Sequence, residues 1–253
     1  MIKFFRQIRQ QLLTENKFSK YLIYAIGEII LVVIGILIAL QVNNWNENSK
    51  RNANELEYLG RLNEDIKVSI EKTRLYTDFM INTANRSTKI IDNLNNCLIP
   101  EADQKAFVNG MYHLGKLAPP VVIKGTINEL QSTGNLLSIQ NVELRKQLTK
   151  MIGVYEEFNV IFSQAERFVA PKVNYIDEKF SVQIEVATRG NSELDYEDAI
   201  FDINELCKDP KFIAAVLAIR NYTFDVAKWS ELTLEELEIF KQSIEQELLS
   251  KEK

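Results

Sequence analysis

From Tyr21 to Val42 the chain reads YLIYAIGEIILVVIGILIALQV, an apolar run broken by one acid, Glu28. At about 1.5 Å per residue, a helix over Leu22 to Gln41 covers the roughly 30 Å hydrocarbon core of a bilayer. A cleaved signal peptide has a shorter apolar region, about 7 to 15 residues, and a small-residue cleavage site. Ala39-Leu40-Gln41 is a poor site of that kind, so the run is expected to stay as an uncleaved spanning helix. Glu28 costs about 2.5 to 3.5 kcal/mol near mid-membrane, and each Leu, Ile or Val returns about 0.3 to 0.6 kcal/mol. With fourteen such residues from Leu22 to Val42, insertion is favoured.

After the run, the pattern changes to a helical stripe. Leu59, Leu62, Ile66, Thr73, Tyr76, Met80, Thr83, Ile90, Leu94 and Cys97 recur at spacings that keep one face, which predicts a long helix over Asn48 to Leu98. Ser69 and Ser87 share that register, so the seam is weaker than one of Leu and Ile. Pro100 closes the helix, and a shorter one is expected over Glu101 to Leu117. Pro119 and Pro120 force an extended stretch before Val121 to Ile123. Thr126-Ile-Asn-Glu129 fits a capping box, and Gly134 is placed to end the short helix that follows.

Asn141 is a cap for a helix through Leu144, Leu148, Ile152, Tyr155, Phe158 and Phe162. Pro171 is expected to kink or break it, with the pattern resuming through Ile176, Phe180 and Ile184 and dissolving at Arg189 to Ser192. Asp202-Ile-Asn-Glu205 is a second capping-box match, and Asp209-Pro210 is a start signal for a last long helix with a pause near Ser230 or Thr233. The fold class is therefore all-α: an N-terminal transmembrane helix followed by an antiparallel helical bundle with long helices.

Charge adds a direction. Lys3, Arg6, Arg9, Lys17 and Lys20 against Glu15 give residues 1 to 20 a charge of +4, and the chain after Val42 keeps 25 basic and 33 acidic residues. The positive-inside rule then puts the N-terminus in the cytoplasm and the body outside it. The expected organisation is a basic cytoplasmic head over 1–20, a transmembrane helix over 21–42 and an extracytoplasmic helical domain with a stalk-like first helix over 43–253. The acidic body lacks the basic footprint that nucleic acid requires. Tyr21, Tyr24 and Trp45 stand where interfacial aromatic anchors belong.

Candidate chemistry is sparse. His113 is the one histidine and has no acid at ligand spacing, no phosphate loop or hydrolase motif is present, and no cofactor or metal site is read. The acids from Glu193 to Asp202 lack calcium-loop spacing and read as a solvated loop. Cys97 and Cys207 pair only if the body is in an oxidising compartment, and the periodicity places both in apolar helical surroundings where a buried free thiol is the favoured reading. The segment Glu129 to Leu148 reads as a helix-turn-helix corner. The sharpest feature is a membrane face: Tyr21, Tyr24, Glu28, Gly35 and Ala39 fall on one stripe, and Gly35 with Ala39 is a small-xxx-small pair. An acid beside that pair suits association with a second copy or with another membrane protein.

The head MIKFFRQIRQQLL, the stretch NKFSKYLIYAIGEIILVVIGILIALQVNNWNE and the segment ELQSTGNLLSIQNVELRKQL resemble a family of uncharacterised bacterial single-pass membrane proteins that carry a domain of unknown function. The resemblance implies a bacterial inner-membrane setting and supplies no activity or site. The functional expectation is a protein that works through contacts, as a scaffold or partner subunit and without catalysis. Its rival is a periplasmic sensor or ligand-binding module that relays through a partner.

Overall fold

The computed structural model of the protein describes residues 18–187 and 193–251; the expectations for the head before residue 18, for Arg189 to Ser192 and for the last two residues lie outside the described residues. The chain divides into two compact units, residues 1–56 and 57–253. Helix α1 spans Phe18–Asn96 and belongs to both. In the second unit follow α2 (Gln104–His113), α3 (Gly125–Ser132), α4 (Val142–Asp177), α5 (Ile184–Ala187), α6 (Ile203–Leu206) and α7 (Pro210–Lys251). Two-residue strands β1 (Ser181–Val182) and β2 (Ala199–Ile200) pair antiparallel between α4 and α6.

The second unit is the expected bundle. At one end Leu59, Leu62 and Ile66 of α1 pack with Leu144 and Leu148 of α4 and with Phe240 and Ile244 of α7. At the other, Ile90 and Leu94 meet Val169 and Ile176 of α4 and Phe212 and Val216 of α7. From Glu57 onwards α1 is thus parallel to α4, and α7 runs antiparallel to both. The return from the end of α1 to the start of α4 is made by α2, an extended stretch and α3.

That extended stretch explains the polar seam. The Ala118 N–H meets Met80 Sδ at 3.2 Å, the Val121 N–H donates to Thr73 Oγ1 at 3.0 Å, and the Ile123 N–H donates to Ser69 Oγ at 2.9 Å. Asp65 Oδ2 accepts from the N–H and the hydroxyl of Thr126 at 3.0 and 2.8 Å. The rungs descend α1 as the strap ascends in sequence, and the lengths match. Fifteen residues of helix and eight of extended chain both cover about 22 to 25 Å. Pro119 and Pro120 have no N–H and so need no partner there. Ser69 and Thr73 are core positions because a backbone, not a side chain, packs on them. Thr73 also donates to Val121 O at 3.1 Å. Thr73→Val is expected to strand both Val121 groups and cost about 1 to 3 kcal/mol, whereas Thr83→Val, whose hydroxyl bonds only its own helix at Phe79 O, stays below about 1 kcal/mol. Urea unfolding of the full chain in mild detergent compares the two.

Elsewhere in the seam the hydroxyls turn back on their own helix. Thr77, Thr83 and Ser87 on α1, and Thr223 and Thr233 on α7, each donate to the carbonyl four residues earlier at 2.8 to 2.9 Å. This satisfies buried hydroxyls without a cross-helix partner.

Several boundaries differ from the sequence expectation. Thr77 is buried where Tyr76 was expected, and Tyr76 is exposed, because the helical period from Thr73 advances four residues at that turn. The region Glu101 to Leu117 divides into a 3-10 turn at Glu101–Asp103 and α2, which stops at His113 before Gly115 at φ 82°. The Thr126–Glu129 capping box does not form. Helix α3 starts at Gly125, its second-residue donor is taken by Asp65 from α1, and Glu129 instead accepts from Tyr58 and Arg61. Pro171 does not break α4: Pro171 and Arg167 are both exposed, so the carbonyl that loses its donor lies on the solvent side. The helix ends at Asp177, and Ile184 is 82% exposed rather than on the core face. Helix α7 has no pause, because Thr233 donates to Trp229 O instead of capping a new start. Asn141 caps α4 through Glu143 and Leu144 N–H as expected, and Gly134 takes φ 72° after α3.

Candidate functional site

In the first unit, α1 carries the apolar run openly. The Leu, Ile and Val side chains from Leu22 to Val42 are 45 to 67% exposed. The most apolar part of α1 has a mean hydropathy of 2.6 and none of it is buried, which makes α1, among the described residues, the one helix long and apolar enough to cross a membrane. The core helix of a water-soluble domain would be covered by its own chain. Glu28, Gly35 and Ala39 are all exposed and, at offsets of seven and four, lie on one face of the helix. A Cβ added to Gly35 would meet nothing within 4 Å, so the backbone is uncovered at that position. Trp45 is 74% exposed just past the run. The side chains of Tyr21 and Tyr24 lie outside the described residues.

The second unit holds the cysteine pair. Cys97 and Cys207 form a disulfide with Cα atoms 5.4 Å apart, joining positions separated by 110 in sequence. This corrects the buried-thiol reading. Cys97 is not on the apolar face but just beyond the end of α1, exposed, at φ 47°, and Cys207 is half-buried just beyond α6. Around Cys97 the chain makes a Schellman turn: Cys97 N–H bonds Leu94 O and Leu98 N–H bonds Asn93 O, both at 3.2 Å. The left-handed position of that turn normally belongs to glycine. A cysteine there costs about 1 kcal/mol of backbone preference, and the cross-link accounts for its presence.

Close to this bond lies the junction of α4 and α7. Asp209 caps α7 by accepting from the N–H groups of Lys211 and Phe212 at 2.9 and 3.1 Å, and Tyr175 donates to its other oxygen at 2.5 Å. The Tyr175 hydroxyl first, and the Phe212 N–H next, hold the Asp209 carboxyl below the usual aspartate range. Because the folded-state pKa is depressed, the stabilisation is complete above the ordinary aspartate value of about 4 and is lost as pH falls below it. Asp209→Ala is expected to cost about 1 to 2 kcal/mol at neutral pH. It should also flatten the acid limb of a stability-against-pH curve measured by urea unfolding; an unchanged acid limb would contradict the assignment.

Several other polar groups are engaged in structure. Buried Asn109 spans the gap to the 193–195 stretch, donating to Leu194 O at 2.7 Å and accepting from Leu194 N–H at 2.9 Å. Glu193 and Asp195 pair with Lys105 at 3.3 and 3.4 Å, and Asp198 caps the N–H of Asp195. His113 Nδ1 is 3.3 Å from Lys116 Nζ, and its ring meets Tyr112 and Phe79 edge-on. Among the described residues no three His, Cys, Asp or Glu side chains converge as metal ligands. A cleft of about 250 Å³ opens between the first turns of α4 and the last turns of α7, lined by Asn141, Glu143, Gln147, Ser243, Gln246 and Glu247 among others. Its carboxylates are already paired, Glu143 with Lys146 and Glu247 with Lys251, both at 3.3 Å.

Of the residues singled out by sequence, the structure brings Cys97 to Cys207 and sets Glu28, Gly35 and Ala39 along one face of α1. Sequence reasoning missed Asp65, Asn109 and Tyr175. The first carried one signal, an acid beside the core stripe of a long helix; the other two carried none.

Comparison with known proteins gives one positive result. Residues 28–99 match the model of a family of unknown function, DUF6090. The matched stretch is α1 from Glu28 to its end, with the turn that carries Cys97. No curated protein and no solved structure matches the chain.

Proposed function

We propose that the chain is a single-pass protein of a bacterial inner membrane that works through protein contacts rather than catalysis, with its N-terminus in the cytoplasm and its helical body outside. The observation that carries this reading is the uncovered apolar length of α1, with Glu28, Gly35 and Ala39 exposed on one face. Small residues let a second helix approach closely, and an intramembrane acid gains from a hydrogen-bond or cationic partner there. The occupant is a second copy or another membrane protein, which makes the protein a scaffold or partner subunit. Placement of the body is supported by the basic flank of the run and by the disulfide, since such bonds persist in oxidising compartments.

Glu28→Leu tests the face. Crosslinking in native membranes is expected to show oligomers or co-purified partners reduced about fivefold, corresponding to about 1 kcal/mol for a polar contact between membrane helices. Unchanged crosslinking would sink the idea. The cleft between α4 and α7 favours a second reading, a small-ligand module that relays through a partner. At about 250 Å³ it falls below the usual range of ligand sites, roughly 300 to 1,000 Å³, and this places it second. A rise in melting temperature of the full chain with added solutes would promote it.

A further inference from the structure

The two sulfurs of the disulfide are not equivalent. Cys97 is exposed, whereas Cys207 is half-buried. Both stand at the carbonyl end of a helix, Cys97 after α1 and Cys207 after α6, so the helix dipoles do not separate them. Access therefore selects Cys97 as the sulfur that is attacked and leaves Cys207 as the departing thiolate.

We propose that the Cys97–Cys207 bond is a thiol–disulfide exchange site with a fixed polarity, whose partner is an extracytoplasmic dithiol. This rests on the extracytoplasmic placement of the body. A partner thiolate attacks Cys97 Sγ, a new S–S bond forms to Cys97, the Cys97–Cys207 bond breaks, and Cys207 departs as a thiolate that takes a proton from water. The partner's second thiol then displaces Cys97, so the partner is oxidised by two electrons and the protein is reduced by two. The reverse sequence makes the bond during folding, with Cys207 attacking a mixed disulfide held on Cys97. Two cysteines in the chain allow a single internal pairing, so no isomerisation step is required.

The test uses the oxidised full chain in mild detergent with reduced glutathione as the probe thiol, acid-quenched at short times and mapped by peptide mass. Mixed disulfide on Cys97 is expected to exceed that on Cys207 by about tenfold or more. An even or reversed distribution overturns the inference, as does the absence of any mixed disulfide while the chain stays folded. Free thiols at both positions in protein taken from native membranes also overturn it. A reporter fused after Lys253 reads the compartment independently, so free thiols beside an extracytoplasmic reporter would defeat the exchange site and leave the placement standing.

Discussion

Cys207→Ala is expected to lower the stability of the full chain by about 4 kcal/mol, and Cys97→Gly by about 1 kcal/mol less. The first figure follows from chain entropy. The bond joins residues 110 apart in sequence, and closing a loop of about that length removes roughly 4.7 kcal/mol of unfolded-state freedom, with measured losses of about 2 to 5 kcal/mol. The second follows from the turn. Cys97 holds the left-handed position of a Schellman motif at φ 47°, where glycine is the preferred residue and most others are disfavoured by roughly 1 kcal/mol. Removing the cross-link through glycine returns part of what is lost; removing it at Cys207 does not. Urea denaturation in mild detergent measures both variants. Equal losses would contradict the turn argument, and negligible losses would contradict the cross-link itself.

The next largest effect is expected in the core. Phe240→Ala should cost about 3 to 5 kcal/mol. Phe240 is fully buried and packs in the cluster that joins Leu59 and Leu62 of α1, Leu144 and Leu148 of α4 and Ile244 of α7. Truncation there opens a cavity among three helices, and the long elements around it have little freedom to collapse. Leu75→Ala is the contrast. Leu75 is 66% exposed on the outer side of α1, and its loss should stay within about 0.5 kcal/mol. A comparable loss at both positions would mean that the assigned core face of α1 is wrong.

How much of this was legible in the sequence depended on the kind of interaction. Periodic burial was readable, because Leu59, Leu62, Ile66, Ile90 and Leu94 repeat with the helix and need no knowledge of their partners. Local caps were readable where they closed within three residues, as at Asn141 and Asp209. Caps supplied from another element were not: Thr126 and Glu129 have the spacing of a box, yet both are claimed by α1 through Asp65, Arg61 and Tyr58. The seam of Ser69 and Thr73 looked like poor helix packing until the strap of Val121 and Ile123 was seen on it. Cys97 defeated periodicity for a related reason. It continues the stripe in register, but the helix ends at Asn96, and one left-handed residue turns the side chain from the core face to the cross-link. Glu28, Gly35 and Ala39 share one face of α1 as the helical period alone places them, since that placement needs no knowledge of another element.

We propose that α1 crosses the membrane once, with the basic head and the body on opposite sides. A phosphatase that folds only in an oxidising compartment, fused after Lys253, measures this in living cells. The account predicts strong activity, lost when the basic residues Lys17 and Lys20 are moved to the far side of the apolar run. An inactive phosphatase, with a cytoplasm-only reporter active at the same position, would contradict it.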